Sequence, residues 1–188
     1  MKVYFSYSAR GQDEYGSNYS KINQIIENHG HALLVDHDNN SEKYYKSSHQ
    51  DLVAMYKRAM KFIRECDVVV LEVSMHSLSM GYFMQAALSM GKPVIALYVK
   101  GCYPAFAIGI ENEKLQVIEY SMDNLVSVLE ISLEYAQETS DIRFNFFVTP
   151  AISSYLDWVA KEKKLPRSVY LRRLIEDDMG KNDEFGGE

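Results

Sequence analysis

Cysteine is scarce in this sequence: Cys66 and Cys102 are the only two among 188 residues, and neither stands in a CxxC or Cys/His spacing. That pattern argues against a disulfide scaffold or a thiolate-held metal and predicts free thiols. Long apolar runs are missing too. No stretch approaches the roughly 20 residues a helix needs to cross a bilayer, and Met1-Lys2-Val3-Tyr4-Phe5 enters a strand pattern without the apolar core of a secretory leader. The expectation is a cytoplasmic protein with no membrane partner. Positive charge is in deficit, 20 Lys/Arg against 26 Asp/Glu, but unevenly so. Residues 1–140 carry 12 basic and 17 acidic groups, residues 141–179 carry 7 and 6, and residues 180–188 carry 1 and 3. A weakly basic segment on an acidic body is compatible with phosphate contacts, although it supports only modest non-specific affinity for nucleic acid. Internal repeats and low-complexity segments are absent.

What is present is a folded composition, 47% hydrophobic and 12% aromatic. Val3 to Ser6 reads as a strand, Tyr19 to His29 as a helix with Ile22, Ile25 and Ile26 inward, and Ala32 to Val35 as a second strand. After a polar loop from Asp36 to Ser48, the residues Leu52, Met55, Ala59, Phe62 and Ile63 form a helical stripe. Asp67 to Val73 is a near-continuous apolar run, as expected of a parallel strand covered on both faces. A helix over Ser79 to Met90, strands over Val94 to Val99 and Leu115 to Tyr120, and a helix from Asp123 to about Gln137, with Ser121 as its cap, complete the alternation. The predicted fold is a doubly wound, mainly parallel five-stranded α/β sheet over residues 1–138, with ligands at the carboxyl ends of its strands. Glu138 to Asp141 is the expected junction. Residues 142–179 then form a separate module, and residues 180–188 a disordered tail.

The loop Ser6-Tyr7-Ser8-Ala9-Arg10-Gly11 after the first strand, the segment Glu72 to Tyr82 after the third, and Gly91-Lys92-Pro93-Val94 carry a resemblance over roughly residues 1–135. They resemble the nucleoside 2-deoxyribosyltransferase family, including its deoxynucleoside-monophosphate N-glycosidase branch. The resemblance implies that Ser8, Arg10, Gly11, Ser77 and Gly81 bind a nucleotide or a similar phosphorylated ligand. Hydroxyls, a guanidinium and loop amides before a helix make an anion site in physical terms also. In that family a Glu following Gly-Tyr attacks the anomeric carbon; here Phe83 stands there. The family's Asp falls on Ala59 and its later Ser on Pro104 before Ala105. Phe83 and Ala59 can neither attack carbon nor stabilise an oxocarbenium ion by charge, so the sequence predicts a silent site with no catalytic residue.

Asp36-His37-Asp38 is a poor metal constellation, and neither His49 nor His76 has a nucleophile beside it in sequence. Neither a cofactor nor a metal is expected.

Arg143 to Val148 alternates, with Phe144, Phe146 and Val148 on one face and Arg143, Asn145 and Phe147 on the other. Thr149-Pro150 leads into a helix from Ala151 to about Lys163, with Ile152, Leu156 and Val159 inward; Pro166 opens another to Met179, with Leu171, Leu174 and Ile175 inward. This order resembles ribbon-helix-helix DNA-binding modules, in which two subunits share a ribbon lying in the major groove. The resemblance implies base contacts from Arg143, Asn145 and Phe147, phosphate contacts at Arg167 and Ser168, and a homodimer or tetramer. The leading expectation is therefore a DNA-binding transcriptional regulator with a silent nucleotide-sensing domain. The alternatives are a nucleoside or deoxynucleotide N-glycosidase using an unusual acid such as Glu72 or Asp36, and an antitoxin-like or assembly module.

Overall fold

The computed structural model describes residues 1–35, 47–138 and 146–181. The chain divides into two compact units between Arg143 and Phe144. The first unit is a five-stranded sheet, β1 (Lys2–Tyr7), β2 (Ala32–Val35), β3 (Val68–Glu72), β4 (Val94–Val99) and β5 (Leu115–Tyr120), in the order β2-β1-β3-β4-β5. Every pairing is parallel. The expected α/β sheet is present, and the order of its strands reverses between β1 and β3, where open sheets of this kind form a crevice.

Helices cover both faces. On one, α1 (Gln12–Asn28) and α5 (Leu125–Glu138) pack over Val3, Phe5, Val68, Val70, Ile95 and Leu97. On the other, α2 (His49–Glu65) and α3 (Leu78–Ser89) pack over Tyr4, Val69, Leu71, Val94 and Ala96. The alternation of β3 between these cores explains why its sequence lacks a polar face. A short α4 (Ala105–Ile108) follows β4. Ser48 caps α2 in a reciprocal box with Asp51.

Several elements differ from expectation. Helix α1 starts seven residues earlier than Tyr19, continuing from a 3-10 turn over Ala9–Gly11, because the polar residues 12–18 are solvent-side helix rather than loop. Leu52 stays 37% exposed although the stripe placed it inward. A 17-residue helix is roughly 25 Å long and a five-residue strand roughly 17 Å, so α2 overhangs the sheet. Near the start of α5, Asn124 accepts from the Ser121 amide, the reverse of a Ser121 side-chain cap.

The second unit contains α6 (Pro150–Glu162) and α7 (Arg167–Met179). Thr149 caps α6 by accepting from the Ile152 amide at 3.3 Å. Both helices lie where the sequence placed them. Of the expected ribbon, Arg143 to Asn145 lie outside the described residues, and Phe146 to Thr149 carry no strand within the single chain. Leu156 and Val159 are buried, but Ile152, Leu174 and Ile175 are exposed and α7 buries no residue, since two helices provide no third layer.

Candidate active site

The crevice between β1 and β3 gathers two loops. Arg10 donates from its guanidinium to the carbonyl of His76, tying the turn after β1 to the segment that opens α3. Ser8 is buried, and its carbonyl accepts from the Gly11 amide at 2.9 Å. Gly11 is required by packing: a Cβ there would collide with the Tyr19 hydroxyl and press on Met75 and Tyr15. Gly81 is different, because a Cβ there would meet nothing within 4 Å. Ser77 precedes α3 without a side-chain cap bond, and the first turn of α3 holds no acid, whereas α1 begins with Asp13 and Glu14. The free helix end suited to an anion is therefore that of α3, with Arg10 beside it.

Below these loops sits Glu72, the only buried ionisable acid among the described residues, 0% exposed. It ends β3 next to Tyr7 of β1 and points to the α1/α5 side. Its Oε1 accepts from the hydroxyls of Ser74 and of Tyr120, the latter at 3.1 Å. Tyr120 in turn accepts from the Asn18 amide at 2.9 Å, and Ser74 Oγ accepts from the Val99 amide at 2.8 Å. Oε2 is buried with no hydrogen-bond partner, and so is the hydroxyl of Tyr19. Tyr19 lies near enough to favour the carboxylate's charge, yet its hydroxyl completes no bond. Burial raises the Glu72 pKa and outweighs the hydrogen bonds that lower it. Burial likewise raises the pKa of the phenols of Tyr19 and Tyr120, keeping both protonated near neutral pH. Tyr7 stacks on Tyr19 with ring centroids 3.9 Å apart.

Phe83 and Ala59 are on the opposite face. Phe83 is half-buried against Tyr4, centroids 6.3 Å apart, and Ala59 is buried in the same core. A groove of about 390 Å³ between α2 and α3, lined by Tyr56, Lys57, Met60, Arg64 and Tyr82 among others, contains no carboxylate. His76 is exposed, His49 opens α2, and Asp36 to Asp38 lie outside the described residues. Among the described residues no cluster of three metal-ligating side chains occurs, and no helix is long and apolar enough to cross a membrane.

No family model matches the chain. It is 33% identical over 135 residues to a Syntrophotalea carbinolica protein provisionally named 2'-deoxynucleoside 5'-phosphate N-hydrolase 1, spanning 71% of this chain and 94% of that one. The chain belongs to the 2'-deoxynucleoside 5'-phosphate N-hydrolase family. A second member, from Thermofilum pendens, is 30% identical over 139 residues, 71% of this chain and 95% of its own. The 5-hydroxymethyl-dUMP N-hydrolase of Mus musculus is 33% identical over 98 residues, 51% of this chain and 56% of that protein. The fold matches that of a Clostridium botulinum CMP N-glycosidase, with a TM-score of 0.51 at 16% identity over 70% of this chain and 99% of that one.

Membership of this N-hydrolase family overturns two expectations. The transcriptional-regulator reading and its silent sensor site give way, because the relatives are named for cleaving nucleotides. Phe83 and Ala59 lie in the core on the far side of the sheet from Glu72, and an expectation of silence drawn from those two positions does not stand against this family membership. Arg167, expected on a DNA phosphate, is paired with Asp157 of α6, Ser168 is exposed, and Phe147 stands fully in solvent. The network of Asn18, Tyr19, Ser74 and Tyr120 was not foreseen. Its one sequence signal is Glu72 itself, a charge closing the run Val68-Val69-Val70-Leu71, which burial makes costly unless the fold provides partners.

Proposed function

We propose that this protein is a cytoplasmic hydrolase of the N-glycosidic bond of nucleoside 5'-monophosphates. The observation that carries this reading is Glu72: a buried carboxyl whose pKa burial raises, with one oxygen unpartnered, beneath loops suited to a phosphate. The phosphate binds between Arg10, Ser77 and the amides at the start of α3, with Ser8 and Gly11 shaping the opposite wall and Gly81 leaving room above. Arg10 exchanges the His76 carbonyl for the phosphate, and entry of the substrate parts Met75 and Tyr15 from above Tyr19.

Glu72 acts as general acid. The bond between C1' and the base nitrogen breaks, its electron pair leaves with the base, and the base takes the proton of Glu72. Water adds through oxygen to C1', and its lost proton restores the acid. The products are free base and sugar 5'-phosphate. A raised pKa suits this role, since the acid must hold its proton near neutral pH. The test is chromatography of bases released from a panel of ribo- and deoxynucleoside 5'-monophosphates. Glu72→Gln should reduce release by about 10²- to 10⁴-fold. Absence of release from every nucleotide by the wild type, or full activity in Glu72→Gln, would sink this assignment.

The second unit supports a further reading, self-assembly into a homodimer. Helix α7 exposes Val169, Leu174, Ile175 and Met179 and buries nothing. Its end charges run against its own dipole, with Arg167 in the first turn and Glu176, Asp177 and Asp178 in the last, while Arg172 and Arg173 sit at its middle. A second copy packed on this helix covers those apolar residues. Sedimentation equilibrium should give a dimer that Leu174→Glu/Ile175→Glu converts to monomer; a monomeric wild type at tens of micromolar would refute it.

A further inference from the structure

We infer that Ser74 and Tyr120 are positioning residues that fix the transferable proton of Glu72 on Oε2 and set the pH at which it is released. The inference rests on Glu72 being the proton donor proposed above and concerns how the surrounding fold directs that donor. Each hydroxyl is oriented from behind. Tyr120 receives the Asn18 side-chain amide at 2.9 Å, so its own proton turns to Glu72. Ser74 Oγ receives the Val99 backbone amide at 2.8 Å, so its proton turns the same way.

Both donated protons converge on Oε1. A carboxyl oxygen already accepting two hydrogen bonds is a poor place for an acidic proton, because a third hydrogen would crowd two inward-pointing ones. The proton therefore resides on Oε2, the oxygen with no partner. A neutral carboxyl can rotate its proton between oxygens; here the rotation is blocked by donors drawn from β4, β5, α1 and the β3–α3 turn. Tyr7 of β1, Tyr15 and Tyr19 of α1 and Tyr120 of β5 are the titratable groups gathered around the carboxyl. Tyr15, Tyr19 and Tyr120 all have raised pKa values, Tyr15 chiefly through its bond with Cys102, so none of these three becomes an anion in the range where Glu72 releases its proton.

The hydroxyl bonds also stabilise the carboxylate left behind, drawing back part of the shift caused by burial. Removing either hydroxyl thus makes Glu72 a weaker acid. Removing both frees the proton to occupy either oxygen, so fewer molecules present it toward the substrate.

The experiment pairs pH profiles of base release with a carbon-13 NMR titration of glutamate carboxyls, assigned by Glu72→Gln, for wild type, Ser74→Ala, Tyr120→Phe and their combination. Each single variant should move the Glu72 titration, and the alkaline limb of kcat with it, upward by about one pH unit. The low-pH plateau of kcat should survive in each single variant and fall about tenfold in the combination. Ser74→Thr, which keeps the hydroxyl, should restore the wild-type profile. An unmoved titration in both single variants, with folding intact by circular dichroism, overturns the inference even when wild-type base release upholds Glu72 as the acid. A wild type that releases no base defeats that assignment instead, while the NMR titration still decides whether the two hydroxyls tune Glu72.

Discussion

Helices α1 and α7 have comparable local signals and opposite fates. Both carry spaced apolar residues, yet α1 buries Tyr19, Ile22, Ile25 and Ile26 against a five-stranded sheet, while α7 buries none. The difference lies in what each helix has to lie on. A sheet covered on both faces gives every inward side chain a second and third neighbour, and a helical pair does not. The first unit can therefore hold an ionisable group such as Glu72 inside, because it has elements enough to surround it with donors. The second unit has only surface on which to place its charges, and in α7 it places a base in the first turn and three acids in the last, against the helix dipole.

The sharpest contrast compares one isoleucine in each unit. Ile26 is fully buried and Ile175 is 59% exposed. Ile26→Ala should destabilise the first unit by about 2–5 kcal/mol, measured by urea unfolding. Ile175→Ala, in dilute protein where no second copy covers it, should change stability by less than about 0.5 kcal/mol. Similar losses at the two positions would mean that α7 is covered even in the monomer.

Gly11→Ala comes next, with an expected loss of about 1–3 kcal/mol because a Cβ must displace the Tyr19 hydroxyl. The double variant Gly11→Ala/Tyr19→Phe should recover part of that loss, since the colliding oxygen is gone. Additive losses in the thermodynamic cycle would place the strain elsewhere.

Glu72 gives a smaller, pH-dependent effect. Its folded pKa lies above the unfolded value of about 4.3, so between the two the folded state binds more protons. Stability contributed by the protonated acid is present below that unfolded value and is lost as pH rises through the folded one. Unfolding free energies from urea titrations at pH 4 to 7 should therefore fall for wild type relative to Glu72→Gln, by at most about 1.4 kcal/mol per pH unit. Parallel curves would mean an unshifted carboxyl.

These contrasts also explain what could be read in advance. The sheet was legible because apolar runs such as Val68 to Leu71 and helix stops such as Gly30 and Gly91 are local signals, and β2, β4 and β5 match their expected bounds. That the loops holding Ser8, Arg10 and Ser77 come together was legible too, and the guanidinium of Arg10 meets the carbonyl of His76. The environment of Glu72 was not, because Asn18, Ser74, Val99 and Tyr120 meet it from four places in the chain and no spacing joins them. The ribbon expected before α6 is of another kind: alternation at 143–148 states which faces a strand would have, not whether a partner strand exists.

The smallest effect is expected where a charged pair is most visible. Arg167 and Asp157 form an ion pair joining α7 to α6, but both side chains are more than half exposed. Water solvates either charge nearly as well once the partner is removed, and two long side chains lose rotamer freedom to meet. Arg167→Ala should therefore lower stability by less than about 1 kcal/mol, with the difference shrinking further in 0.5 M salt. Arg167 also sits in the first turn of α7, where its charge opposes the helix dipole, so part of the lost attraction is returned as relief of that repulsion. Asp157→Ala leaves the unfavourable Arg167 in place without its partner and should be the more costly of the two. A larger loss for Arg167→Ala than for Asp157→Ala in chemical unfolding would mean that the guanidinium, and not the pair, holds the two helices together.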